Sequence, residues 1–305
     1  MRPGCRRCWP REGPAIDIAF TMDDLPLWPQ SDPPEGFTAA GIVADIQRAL
    51  KAAGIAGVYS FSNSWPLERD PSLARILDAW VADGHHVGNH THAHLQLPQV
   101  DAATFIADID AAEERLAPWL SQAPRRLFRH PLCHWGETRE KLDAVNAHLA
   151  RRGLTAVDVT TFSYEWVFNR AWRAAREAGD RRAETWVCDA FLAFAPAQMR
   201  HDHATAAAWF DTPVASIGLG HNVPFFAIIA EDYFAALLGA GARFVPLDAA
   251  LSGPVQAATG SVPSAAFLVI QQKLALEAGV PLPKIAPDQE ARFARVVEMA
   301  GDRSD

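Results

Sequence analysis

From residue 15 onward, short apolar runs alternate with longer stretches in which apolar positions recur every three or four residues. The short runs read as strands: AIDIAFT (15–21), GVYSF (57–61), HHVGN (85–89), RRLFR (125–129), LTAVDVT (154–160), VASIGLG (214–220) and RFVPL (243–247). Between them, 38–53, 70–82, 99–116, 136–151 and 225–240 carry helical spacing. Gly54, Gly84, Pro118 with Pro124, Gly153 and Gly241 stand where those helices must stop. The alternation predicts an α/β fold with a parallel sheet, and about seven strands each trailed by a helix predict a closed or nearly closed barrel.

The stretch 168–210, with Trp172, Trp186 and Trp209, is longer than one crossover helix needs and predicts two or three helices. Residues 252–264, rich in Gly, Ser, Ala and Pro, read as a linker, and 265–300 as two helices packing back on the body. The expected organisation is a flexible N-terminus (1–14), a barrel (15–251), and a linker with C-terminal helices (252–305). No internal repeat interrupts it.

Composition narrows the function. With 305 residues, 49% hydrophobic and 21% charged, the chain can fill a large core. A net charge of -8 and the lack of a Lys/Arg-rich block argue against a nucleic-acid partner. The N-terminal segment lacks the apolar stretch of a secretory signal, and no apolar run is long enough to cross a bilayer, so a cytoplasmic protein without membrane contact is expected. Four cysteines are too few for a disulfide framework. Cys133 and Cys188 read as buried small hydrophobes. Cys5 and Cys8 form a C-x-x-C without a second ligand pair, which reads as a frayed terminus rather than a structural metal site.

The polar residues at the strand ends carry the chemistry. Asp23 and Asp24 follow the first strand, His90 and His94 the third, Arg129 the fourth and His221 the sixth. In a barrel these ends share one rim. His90 and His94, four apart, share a face if their loop turns helically, and with Asp24 they make three ligands for one metal ion with a position left open for water. Asp23 can then serve as general base, Arg129 can orient it and keep it ionised, and His221 can protonate a leaving nitrogen. His85, His86 and His92 read as hydrogen-bonded structural groups, and the HDH at 201–203 as a surface turn. Trp28, Trp65, Trp135 and Trp166 fall near the rim, where flat rings stack on sugar or heterocycle faces; Trp28 and Trp135 are the favoured substrate contacts. His134 and Glu137 read equally as substrate contacts or as part of a helix N-terminus.

The order FTMDD, HTHAH, FRHP and SIGLGH resembles the polysaccharide deacetylase family, the NodB-homology domain of carbohydrate esterase family 4, over roughly residues 15 to 250. The resemblance implies a distorted (β/α) barrel that removes acyl groups from N-acetylated sugars with a divalent metal. It implies Asp23 as base, Asp24, His90 and His94 as ligands, Arg129 as the motif arginine and His221 as acid. The expected ion is Zn2+, with Co2+, Ni2+ or Fe2+ as other ions for this donor set.

Departures from the family pattern accompany these matches. Leu25-Pro26 stands in place of a glycine, and Leu132 in place of the usual aromatic substrate contact. The motif that supports the catalytic histidine is met only as SYEW, leaving Glu165 (with Trp166) and Asp158 as competing partners of His221. The leading expectation is a metal-dependent amidohydrolase acting on a small-molecule or oligosaccharide substrate, by N-deacetylation of an N-acetylated sugar. A second is hydrolysis of a small cyclic amide, imide or N-formyl compound, as in allantoinase-like relatives. A third is an inactive carbohydrate-binding relative, which would have no need of both Asp23 and His221.

Overall fold

The computed structural model describes residues 15–29 and 32–301; the Cys5-x-x-Cys8 motif lies outside them. The strands are β1 (Ile16–Asp23), β2 (Tyr59–Ser62), β3 (His86–Asn89), β4 (Leu127–Phe128), β5 (Thr155–Ala156), β6 (Thr161–Phe162), β7 (Ser216–His221) and β8 (Ala242–Phe244). They form one sheet in the order β5-β4-β3-β2-β1-β7-β6, with β8 added beside β1, and all pair in parallel. This is a curled, distorted (β/α) barrel with helices at its C-terminal end, as the chain's alternating pattern predicts.

Two switches of pairing cause the distortion. The run 154–160 was expected as a single strand. Instead β5 pairs with β4, the four-residue link turns, and β6 pairs with β7. Strand β1 divides its length as well: Ile16–Ile18 pair with β8, and Ile18–Asp23 with β7. A run of apolar residues cannot announce such a switch, because both partners demand the same buried face.

Helices Ala39–Ala52, Ala74–Ala82, Ala102–Arg115, Arg139–Arg152 and Pro224–Gly239 follow strands as expected. Thr38, Asp101 and Thr138 accept a backbone N–H at three of their N-termini. The stretch 168–210 resolves into two helices, Glu165–Glu177 and the 30-residue Arg181–Phe210. The second corrects the reading of 201–203 as a surface turn. Those residues are helical, and Asp202 is buried, accepting from Gln198 Nε2 (2.9 Å) and the Phe162 N–H (3.3 Å). Its polar neighbours hid an inward-facing position.

The expected linker contains a short helix, Pro254–Ala258, and helices Ile270–Glu277 and Glu290–Met299 complete the C-terminal part. Among the described residues no helix is long and apolar enough to cross a membrane.

Candidate active site

Strand register builds the rim. Asp23 lies opposite His221 across β1 and β7 and opposite Phe61 across β2; Ser62 pairs with Asn89, and Asn89 with Phe128. The residues that follow these strand ends, Asp24, His90 and Arg129, therefore emerge at one level. Asp23, Asp24, His90, Arg129 and His221 are all buried.

His90 and His94 do meet, but their loop does not turn helically. Thr91 and His94 adopt left-handed backbone conformations (φ 66° and 55°), and the two imidazole centroids stand 5.1 Å apart. Asp24 is left-handed too (φ 71°), its N–H donating to Phe61 O, and the Leu25-Pro26 peptide beyond it is cis. His90 Nδ1 lies 2.8 Å from the Arg129 carbonyl. A carbonyl only accepts, so that nitrogen carries the proton and Nε2 keeps its lone pair. Nε2 of His90 is 3.8 Å and Nε2 of His94 3.5 Å from Asp24 Oδ1.

These residues fit a divalent cation. Candidate ligand atoms of Asp24, His90 and His94 lie within 4.8 Å of one another. Two tetrahedral bonds of zinc length hold donor atoms roughly 3.3 Å apart, close to the separations seen here. Asp24 Oδ1 is buried and has no hydrogen-bond partner. Burial pushes the Asp24 carboxyl up to about 8, and pushes His90 and His94 down to about 3. The imidazoles are therefore neutral and able to ligate, and a bound cation would stabilise the charged form of the carboxylate.

Beside this triad Arg129 Nη1 donates to Asp23 Oδ1 (2.7 Å) and to Thr21 Oγ1 (2.9 Å), and Nε donates to Val157 O (3.3 Å). The guanidinium lies over the Phe61 ring at 4.0 Å. Gly88 permits that floor: a Cβ there would sit 2.9 Å from Phe61 Cδ1.

Across β7, His221 Nδ1 lies 2.5 Å from Glu165 Oε1, and Ser163 Oγ donates to Glu165 Oε2 (2.7 Å). Burial by itself lowers the imidazole pKa. The Glu165 carboxylate, through charge and hydrogen bond, and then Asp24 and Asp23 outweigh burial, and His221 is held above its ordinary value. Trp28 and Trp166 meet the imidazole edge-on at 4.9 and 5.2 Å.

Not every expected residue arrives. Of the two competing partners of His221, Glu165 is the one in contact; Asp158 forms a buried ion pair with Lys273 from the C-terminal helices. Trp135, expected beside substrate, is 1% exposed and packs in a separate core under Lys273, 4.1 Å from its ring centroid. His92 turns to Ser64 (2.8 Å), and His85 accepts the Val58 N–H. Glu137 pairs with Lys141 at the start of the helix that Thr138 caps, outside the cavity lining. Trp65 begins a short helix at Trp65–Arg69 and does not line the cavity. Trp28 and Leu132 do line it, together with Cys133, Leu219 and Phe267.

Three contributors were missed: Thr21, Ser163 and Phe267. Alternation in β1 marks Thr21 as a polar residue in a buried strand, which is a usable signal. Nothing local marks the other two. A wider cleft, about 580 Å3, lies at the opposite end of β4, where Arg126 pairs with Glu113 and Arg152 with Asp110 (3.1 Å).

Residues 11–150 match the polysaccharide deacetylase family. That span contains Asp23, Asp24, His90, His94 and Arg129. Over that span the chain resembles a divergent polysaccharide deacetylase. No curated protein sequence matches it significantly. Among solved structures it is similar to a family 4 carbohydrate esterase from Streptomyces lividans in complex with acetate, at 19% identity and TM-score 0.47, covering 83% of this chain and 97% of that one. It is similar also to a mutant of a carbohydrate esterase family 4 pseudoenzyme of Bacillus anthracis (14%, TM-score 0.50, 78% and 68%). A third is a peptidoglycan deacetylase from Bacillus subtilis (15%, TM-score 0.46, 77% and 89%). At these identities the likeness concerns the fold alone.

Proposed function

We propose that the protein is a metal-dependent amide hydrolase that removes an acyl group from an N-acylated sugar or oligosaccharide. The observation that carries this is the convergence of Asp24, His90 and His94 beside two separately oriented proton carriers, Asp23 on Arg129 and His221 on Glu165.

Asp24, His90 and His94 would hold one divalent cation, zinc by the donor set. When bound, such an ion polarises an amide carbonyl and acidifies water. The chain's own groups do the rest. Asp23, aimed by Arg129, accepts the proton of the attacking water. His221, kept cationic by Glu165, donates a proton to the departing nitrogen, so that it leaves as an amine. Trp28 and Trp166 hold the imidazole ring and exclude solvent from it. A groove of about 340 Å3 beyond Trp28, lined by Trp166, Asn169 and Arg170, offers room for the rest of a sugar chain.

A second reading keeps the reaction and changes the substrate to a small cyclic amide, imide or N-formyl compound. It is favoured by the tightness of the cavity, where about 20 Å3 is open to the centre of a water-sized body. The test is elemental analysis of wild type beside His94→Ala, followed by assay of the metal-loaded protein on short chitooligosaccharides and on hydantoin-like amides. About one metal per chain, lost in the variant, with acetate release supports deacetylation. Turnover of only the small amides favours the second reading, and no metal in either protein refutes both.

A further inference from the structure

The segment from Ser264 to Ile270 is tacked to the barrel at both ends. Ser264 N donates to Gly136 O (2.6 Å) and Ile270 N to Val159 O (3.0 Å). Between these two bonds the chain brings Phe267 to the cavity beside His221. Its ring lies almost parallel to Phe162, with centroids 4.4 Å apart at 11°, and meets Trp166 edge-on at 5.1 Å. Phe162 stands on β6 and Trp166 on the helix that carries Glu165. Phe267 is thus held in place by the elements that hold the proton carrier.

The cavity has two kinds of wall. Asp23, Asp24, His90, His94 and His221 are polar, while Leu132, Leu219 and Phe267 are apolar. The space open to the centre of a water-sized body, about 20 Å3, admits little more than one water molecule. An amide whose carbonyl faces the carboxylate and histidine groups can lay its acyl chain against Leu132, Leu219 and Phe267.

We propose that Phe267, delivered by the C-terminal segment, sets the acyl-chain limit of this site: a one- or two-carbon acyl group fits against it, and longer chains collide with its ring. The proposal rests on the amide-hydrolase reading above. Leu132 and Leu219 come from the barrel itself, and the ring that limits chain length comes from outside it. Discrimination of one methylene in an apolar pocket amounts to roughly tenfold to two-hundredfold.

Binding tests this apart from turnover. Metal-loaded wild type, Phe267→Ala and Phe267→Leu are titrated with acetohydroxamate and butyrohydroxamate, following tryptophan fluorescence. The wild type is expected to prefer the two-carbon probe by at least about tenfold, Phe267→Ala to bind the two almost equally, and Phe267→Leu, which keeps an apolar filling, to fall between. The proposal is overturned if folded Phe267→Ala and Phe267→Leu both retain the wild-type preference, or if wild type shows no preference or binds neither probe. Acid release from chitooligosaccharides is measured in parallel. Its absence, with the binding preference intact, refutes deacetylation of sugars and leaves the role of Phe267 standing.

Discussion

Glu165 Oε1 stands 2.5 Å from His221 Nδ1, with Glu165 fully buried and its other oxygen accepting from Ser163. Burial lowers the pKa of His221 and the carboxylate restores it. Glu165→Gln removes the charge and keeps the shape. We expect kcat to fall about 10²- to 10⁴-fold and the alkaline limb of the pH profile to move to lower pH, because burial then acts unopposed and the imidazole loses its proton earlier. An unmoved limb would show that Glu165 does not set the charge of His221.

Asp24, His90 and His94 converge from two loops, so removal of any one leaves an incomplete site. His90→Ala and Asp24→Ala are expected to contain no stoichiometric metal after purification. Added Zn2+ should raise the melting temperature of wild type and leave that of either variant unchanged, since only an ion bound by the native state stabilises it. Equal shifts in all three proteins would place the ion elsewhere.

Asp23 and Arg129 are both nearly inaccessible, and each neutralises the other. Arg129→Met leaves a buried carboxylate unpaired and should cost about 3–5 kcal/mol in urea unfolding of the metal-free protein. Adding Asp23→Asn should recover part of that loss. A double variant no more stable than Arg129→Met would mean that the guanidinium acts chiefly through Thr21, Val157 and Phe61.

The metal-free protein should have a stability maximum in pH. His90, His94 and His130 are pushed down to about 3, so the stability tied to their neutral forms is present above the unfolded value near 6.5 and is lost as pH falls toward 3. Asp24 and Asp202 are pushed up to about 8, so the stability tied to their protonated forms is present below the unfolded value and is lost as pH rises through 8. Urea midpoints should therefore rise through the acid range and decline toward alkaline pH. Asp24→Asn, which cannot ionise, should shrink the alkaline decline, and an unchanged decline would assign it to Asp202 and other groups.

Asp158 and Lys273 join the link between β5 and β6 to the helix Ile270–Glu277. Lys273→Met should destabilise by about 3–5 kcal/mol by stranding the carboxylate, and Lys273→Met with Asp158→Asn should regain much of it. The pH profile of the double variant should keep the wild-type alkaline limb. A shifted limb would bring Asp158 back as a partner of His221.

Much was already present in the linear order of residues. Period-two and helical patterns, with glycine and proline at the joints, determined a parallel α/β barrel. Acidic and histidine residues at successive strand ends then determined that Asp23, Asp24, His90, Arg129 and His221 share one rim, because parallel strands bring their C-terminal ends to one edge. What the chain could not express locally is how distant segments compete for the same neighbour. Glu165 and Asp158 are equally plausible partners of His221 by spacing, and only packing decides between them: Lys273, 115 residues away, takes Asp158 and leaves Glu165 to the imidazole. Trp135 carries a ring suited to substrate, yet the C-terminal helices cover it. Phe267 has no motif, and it reaches the site because two backbone hydrogen bonds pin its segment across the barrel. Pattern determines which face of an element is buried, whereas the identity of what buries it is a property of the assembled chain.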